Sequence, residues 1–297
     1  MTQRCGYVAL VGAPNAGKST LLNLLVGTKL SIVTPKVQTT RSCVLGIALK
    51  SEAQLIFIDT PGIFAPKRRL DRAMVAAAWA GAEDADIVVV LVDVARGIDD
   101  DTRGILERLK ATQRRRVLAL NKIDLVKREK LLPLANELAQ LCDFERVFMI
   151  SSTAGDGTAD LAEFLACAVP EAPWLYPEDQ LTDLPQRLLA AEITREQIYL
   201  QLHQELPYAA AVETEQWEGR PDGSVKISQV IHVQREGQKA IVLGKGGAQV
   251  KKIGAAARVE LEKLLERRVH LFLFVRVTPE WAEDRARFEA MGLDYPE

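Results

Sequence analysis

Residues 12–19 read GAPNAGKS and satisfy the pattern G-x-x-x-x-G-K-[ST], directly after the apolar run 7–11, YVALV. A tight turn on Gly12 and Gly17 lets successive backbone N–H groups converge on phosphate oxygens where a helix begins. Lys18 is then placed to reach the outer phosphates and Ser19 to ligate Mg2+. The stretch 20–26, TLLNLLV, supplies the helix, so strand, glycine turn and helix come in the order this chemistry needs. A nucleoside triphosphate site is expected.

Asp59-Thr60-Pro61-Gly62 follows the apolar run 54–58 and puts a carboxylate at a strand end, where it can hold Mg2+ through water while the Gly62 N–H senses the terminal phosphate. The polar segment 31–42, SIVTPKVQTTRS, has no helical period and reads as a loop that orders around a nucleotide. Thr40 is the expected second protein ligand of Mg2+, with Thr39 the competing choice. The base is read further along, at Asn121-Lys122-Ile123-Asp124 after the run 117–120. A carboxylate at Asp124 accepts from both the ring N–H and the exocyclic amine of guanine, and would be left unpaired against adenine. The Lys122 stem can cover the ring, and Asn121 can tie the base loop to the phosphate loop. Ser151-Ser152-Thr153 completes the set, with Ser152 where GTP-binding proteins usually carry alanine.

Ile63 stands where Ras-like proteins place the glutamine that orients the attacking water, so hydrolysis needs another source of help and slow intrinsic turnover is expected. Asn15, in the context P-N-x-G-K-S, resembles GTPases that use a bound K+ near the phosphates; it serves equally well as an ordinary turn residue.

The chain has 297 residues, 48% of them hydrophobic, with a formal net charge of −2, which gives room for two folded domains and excludes a strongly polybasic protein. Cys5, Cys43, Cys142 and Cys167 show no paired or metal spacing and read as reduced thiols of a cytoplasmic protein. Polar Thr2, Gln3 and Arg4 lead into a short strand, so no signal peptide is expected. Strands near 7–11, 44–49, 54–59, 87–93, 116–121 and 146–151 alternate with helical stretches such as 100–112 and 128–141. That alternation predicts an α/β domain with a mostly parallel six-stranded sheet covered by helices and its ligand at the strand C-terminal ends. Pro170, Pro173, Pro177 and Pro185 mark a linker, giving a first domain at 1–170, a linker at 171–184 and a second domain at 185–297.

In the second domain, 188–202 reads as helix and 209–217 and 225–233 as strands, and Gly244-Lys245-Gly246-Gly247 joins two helical stretches. Between Gly237 and Val259 lie Lys239, Lys245, Lys251, Lys252 and Arg258 with no acidic residue, so positive charge gathers at the glycine loop. With Ile241, Val242, Val250 and Ile253 on its flanks, this resembles a smaller α+β KH domain of type II, which grips the backbone of single-stranded RNA at the glycine loop. His203, His232 and His270 form no triad or metal group and are read as structural or surface residues.

A P-loop GTPase domain of the P-N-x-G-K-S kind, a proline-punctuated linker and the segment IVLGKGGAQVKKIGAAAR together resemble the Era family of bacterial GTPases over nearly the whole chain. The resemblance implies GTP and GDP as ligands with Mg2+, and K+ at Asn15. It implies nucleotide contacts by Gly12, Ala13, Pro14, Asn15, Ala16, Gly17, Lys18, Ser19, Thr20, Asp59, Thr60, Pro61, Gly62, Asn121, Lys122, Asp124, Ser151, Ser152 and Thr153. Catalysis would rest on Asn15, Lys18, Thr40, Asp59 and Gly62, and RNA contacts on Lys239, Gly244, Lys245, Gly246, Gly247, Lys251, Lys252 and Arg258. As partners it implies 16S ribosomal RNA near its 3′ end and the small ribosomal subunit, for a monomer that is cytoplasmic and partly at the inner face of the cell membrane. The charged stretch 281–291, helical by pattern, gives weak support for the membrane. The rival expectations are a constitutive RNA-binding scaffold with a vestigial nucleotide site, and a GTPase of transfer RNA modification.

Overall fold

The computed structural model describes residues 3–202 and 206–296; His203 lies outside the described residues. Two compact units result. The first takes the chain up to Ser31, then Thr40–Asp183 and the stretch from Met291; the second takes Ile32–Thr39 and Leu184–Ala290.

In the first unit β1 (Arg4–Gly12), α1 (Lys18–Val26), β2 (Val44–Lys50), β3 (Ala53–Asp59), α2 (Arg69–Asp84), β4 (Ile87–Asp93), α3 (Asp100–Lys110), β5 (Arg115–Asn121), α4 (Leu131–Leu141), β6 (Val147–Ile150) and α5 (Thr158–Ala168) follow in turn. The sheet order is β2-β3-β1-β4-β5-β6, parallel throughout except for the edge pair β2–β3. Strands β3 and β4 are buried along their whole length, as a parallel sheet covered on both faces requires. Register aligns Leu10 with Asp59, Gly12 with Leu91, and Asn121 with both Asp93 and Ile150. The phosphate, magnesium and base motifs therefore emerge from one edge of the sheet.

After the Asp59–Gly62 motif the chain is helical from Arg69 onward. Asp71 accepts the backbone N–H of Arg68 at 2.9 Å and Lys67 at 3.1 Å, satisfying donors at the helix start, while Leu70, Met74 and Ala78 form a buried stripe.

Residues 171–183, expected as a linker, are a strap laid along the β2–β3 edge. The buried Gln54 side chain stands in for a strand partner: its Oε1 accepts Leu175 and Tyr176 N–H at 2.9 and 3.0 Å, and its Nε2 donates to the Tyr176 carbonyl at 2.8 Å. Ile47 N–H then donates to Leu181 O at 2.8 Å and the Thr182 hydroxyl to Leu45 O at 2.6 Å. Prolines bar helix from this stretch, and an extended chain has free backbone groups to pair.

The second unit contains α6 (Gln186–Gln201), β7 (Ala211–Gly219), β8 (Val225–Val233), α7 (Glu236–Leu243), α8 (Ala248–Leu265), β9 (Val269–Val277) and α9 (Arg285–Ala290). Its sheet runs β7-β8-β9, with β7 antiparallel and β9 parallel to β8. Ile198, Ile231, Val242 and Ile253 join one core cluster; Leu189, Ile193, Ile227 and Leu261 join another. The stretch 281–291 is anchored: Trp281 and Phe288 are buried, and Trp281 Nε1 donates to Ala209 O at 3.0 Å. Residues from Met291, expected in the second domain, belong to the first unit, where Arg69 donates to the Tyr295 hydroxyl and lies 4.9 Å above its ring. No helix among the described residues is long and apolar enough to cross a membrane.

Substituting Gln54→Leu removes three hydrogen bonds to the strap and should lower stability by about 2–3 kcal/mol. Faster chymotryptic cleavage after Trp174 should accompany the loss. An unchanged urea midpoint and cleavage rate would show that Gln54 does not hold the strap.

Candidate functional site

The turn between β1 and α1 is built from backbone constraints. Gly17 sits at φ 99°, where only glycine is at ease, and a Cβ there would lie 2.2 Å from Asn121 Nδ2. The Asn121 amide, almost fully buried, donates to Ala16 O at 2.8 Å and accepts from both Ser152 N–H and Ser152 Oγ at 3.0 Å. Three loops from distant parts of the chain thus meet on one side chain, as the sequence suggested for two of them. Ser152, the departure from alanine, adds its hydroxyl to this junction.

Lys18 is buried and donates to the carbonyls of Gly12 and Ala13, both at 3.0 Å. Burial lowers its pKa to about 8, with Asp59 opposing the shift. Burial likewise raises the Asp59 pKa, against the hydrogen bond from Ser19 and the charge of Lys18. Desolvation disfavours the charged form of both groups.

Around Asp59, the Ser19 hydroxyl donates to Oδ2 at 2.7 Å and lies 2.8 Å from the Thr40 hydroxyl. Asp59 Oδ1 is buried with no hydrogen-bond partner among the described residues. Two hydroxyls and a carboxylate with a spare oxygen are the hard donors that Mg2+ takes, so the residues fit the ion. Thr39 is occupied otherwise: its hydroxyl is 3.0 Å from that of Thr34 and donates to Lys36 O at 2.9 Å. Of the two threonines, Thr40 is the one brought to Ser19 and Asp59. The Thr60 hydroxyl donates to Leu10 O at 2.7 Å and is used in the fold. Pro61, Gly62 and Ile63 are buried, and Ile63 N–H donates to Gly12 O at 3.2 Å, pinning this loop to the phosphate turn. Asn15 adopts φ 63°, a left-handed turn conformation asparagine tolerates.

At the base end, Lys122 also has positive φ and its ammonium pairs with Asp93 Oδ2 at 2.6 Å. Asp93 was not singled out from the sequence; its position ending a buried strand, level with Asn121, was the available signal. Asp124 is exposed, as is Thr153, whereas Ser151 is buried and its Oγ accepts Ala154 N–H at 3.1 Å. Arg96, also not anticipated, donates to Pro14 O at 3.1 Å and braces the phosphate turn.

In the second unit Gly244, Gly246 and Gly247 all have positive φ. At Gly244 a Cβ would approach Gln249 Cβ to 2.7 Å, so the loop closes tightly on the start of α8. Lys245, Lys251, Lys252 and Arg258 are exposed around it and Lys239 is half-buried. A bare backbone turn, an open helix N-terminus and exposed cations on the same segment suit a sugar-phosphate chain. His232 is buried, its Nδ1 2.9 Å from the Thr278 hydroxyl, with its pKa lowered by burial, and it serves the fold.

Residues 7–122 match a family model described as a 50S ribosome-binding GTPase, and residues 205–282 match a KH domain. The GTPase Era of Rhizobium meliloti (strain 1021) is 59% identical, covering 99% of this chain and 94% of its own length. That of Brucella suis biovar 1 (strain 1330) is 58% identical over the same shares. Among solved structures, Aquifex aeolicus Era bound to GDP·AlF4− superposes with a TM-score of 0.93 at 38% identity, covering 98% of this chain and 99% of that one. Era in complex with MgGDPNP and nucleotides 1506–1542 of 16S ribosomal RNA gives the same values.

Because burial lowers the Lys18 pKa to about 8 and phosphate oxygens favour the ammonium, nucleotide binding above pH 8 should take up one proton. Calorimetry of GDP binding at pH 7 and 9, in buffers of differing ionisation enthalpy, checks this. Affinity should fall with rising pH by up to about tenfold per unit in that window, and Lys18→Met should remove the dependence.

Proposed function

The chain belongs to the Era family of GTPases, and from that premise we propose that it hydrolyses GTP and binds 16S ribosomal RNA near its 3′ end as an assembly factor of the small ribosomal subunit. The observation that carries the enzymatic half is the cluster of Ser19, Thr40 and Asp59 with the unpartnered Asp59 Oδ1 beside Lys18. A vestigial site would not keep a buried carboxylate and lysine whose charged forms burial disfavours, since well-packed apolar replacements of buried charges are often as stable or more so.

Lys18 would engage the β and γ phosphates, and Ser19, Thr40 and Asp59 would hold Mg2+, which when bound supplies positive charge to the phosphate oxygens. Backbone N–H groups of residues 13–20 cradle the phosphates. Asp124 reads guanine, Lys122 covers its ring with a stem fixed by Asp93, and the 151–153 loop, positioned by Asn121, meets the guanine carbonyl. Ile63 has no atom to orient water, so the chain relies on charge at the phosphates; Asn15 is the candidate K+ ligand that would add to it. Intrinsic turnover is slow as a result.

The glycine loop at 244–247 clamps RNA backbone, and Lys239, Lys245, Lys251, Lys252 and Arg258 hold its phosphates. Nucleotide reaches RNA binding through the segment 31–42: GTP fixes Thr40 at the magnesium site, while Ile32–Thr39 belongs to the RNA-binding unit. Contact with the inner face of the cell membrane, implied by the family resemblance, would be peripheral.

Turnover should be faster in K+ than in Na+ buffer, and Asn15→Ala should abolish the difference; equal rates for the unaltered protein would remove the ion from the account. Binding of a single-stranded RNA ending in the 16S 3′ sequence should be tighter with a non-hydrolysable GTP analogue than with GDP, and Gly246→Asp should weaken both. Equal affinities in the two nucleotide states would refute the coupling.

A further inference from the structure

The loop after β4 runs beside the phosphate turn because β4 pairs with β1, with Leu91 level with Gly12. Its course is set at the strand end: the Asp93 carbonyl accepts the N–H groups of Arg96 and Gly97 at 3.1 and 3.0 Å, and Asp93 Oδ1 accepts Ala95 N–H at 3.0 Å. The Arg96 guanidinium leaves this loop with two partners. Its Nη1 donates to Pro14 O at 3.1 Å, and its Nη2 pairs with Asp99 Oδ2 at 2.6 Å. Asp99 is itself fixed, since its Oδ1 accepts Thr102 N–H at 2.8 Å and caps α3. All of these residues belong to the first unit.

Residues 13–16 form a β-turn closed by Ala16 N–H donating to Ala13 O at 3.2 Å, with Pro14 and Asn15 at its centre. Proline holds φ at about −65°, and Asn15 has φ 63°. Among turns of trans peptides, type II is the class that combines the two. The commoner type I turn has its central peptide turned over, and it would give Asn15 the negative φ that residues other than glycine prefer. Type II therefore needs holding. The oxygen of that central peptide is Pro14 O, so Arg96 grips the one group whose direction separates the two turns. In a trans peptide the N–H opposes the C=O, and Asn15 N–H accordingly points away from Arg96. Gly62, whose motif is expected to sense the terminal phosphate, packs on the same turn: a Cβ there would lie 2.8 Å from Pro14 Cα.

We propose that Arg96, locked by Asp99, is a positioning residue for GTP hydrolysis: by holding Pro14 O it keeps the turn in its type II form and directs Asn15 N–H at the oxygen bridging the β and γ phosphates. In hydrolysis the water oxygen bonds to the γ phosphorus and its proton passes to the released phosphate. The bond from that phosphorus to the bridging oxygen breaks, and its electron pair stays on GDP. An N–H aimed at the bridging oxygen stabilises charge that grows there in the transition state. The inference rests on the GTPase reading, and it gives the Asn15 backbone a part that does not need the ion proposed for its side chain.

The test measures single-turnover hydrolysis at saturating GTP, together with GDP affinity, for the unaltered protein, R96A, D99N, N15G and R96A/N15G, each in K+ and in Na+ buffer. R96A should slow hydrolysis by about tenfold or more in both buffers, while GDP affinity changes by less than about threefold. D99N should show a smaller loss of the same kind. Glycine at position 15 favours the type II turn unaided, so removing Arg96 should cost little in the N15G background. Three outcomes overturn the proposal: an equal loss from R96A in both backgrounds, a loss confined to K+ buffer, or a fall in GDP affinity that matches the fall in rate. Absence of GTP turnover in the unaltered protein would instead overturn the GTPase reading, and the proposal with it. Arg96 is exposed, so its truncation removes no core contact. Should R96A nevertheless not fold, D99N and D99N/N15G carry the same expectations.

Discussion

The charge at the bottom of the phosphate turn is the constraint on which the site depends. Lys18 and Asp59 are both buried, and desolvation works against the ionised form of each. The lysine donates to two loop carbonyls, and the carboxylate accepts at one oxygen while the other has no hydrogen-bond partner among the described residues. A magnesium triphosphate supplies what each lacks, anionic oxygens to the ammonium and a cation to the carboxylate. Selectivity for that ligand thus rests on the cost of burying both charges as well as on the contacts that it makes.

Holding such a pocket in shape takes groups that are not part of it. Asn121 joins the phosphate turn to the loop after β6, Ile63 N–H ties the loop after β3 to Gly12, and Arg96 braces Pro14. All of these reach between the C-terminal ends of parallel strands, where the sheet brings distant segments level. Motif residues also serve the scaffold: the side chains of Asn121 and Thr60 hydrogen-bond to neighbouring loops and strand.

Each unit is assembled from separated pieces of chain. Ile32–Thr39 is built into the RNA-binding unit and the stretch from Met291 into the nucleotide-binding unit. The strap at 171–183 belongs wholly to the first unit through Gln54, Ile47 and Leu45. A domain boundary placed at the prolines follows where helix stops, whereas the folded boundary follows where backbone groups find partners.

The nucleotide motifs, the strand–helix alternation and the basic glycine loop were legible from the amino-acid sequence, because each is a local pattern. A phosphate turn needs glycines at fixed spacing, a buried parallel strand needs a short apolar run, and a backbone clamp needs residues that adopt positive φ. Only tertiary structure shows that the Thr40 hydroxyl lies beside Ser19 while that of Thr39 faces Thr34 and Lys36. It alone paired Lys122 with Asp93 and Gln54 with the strap, and it turned 69–84 into a capped helix. Periodicity and spacing report which residues a segment buries; they carry no record of the partner some 30 to 160 positions away that satisfies a polar group once it is there.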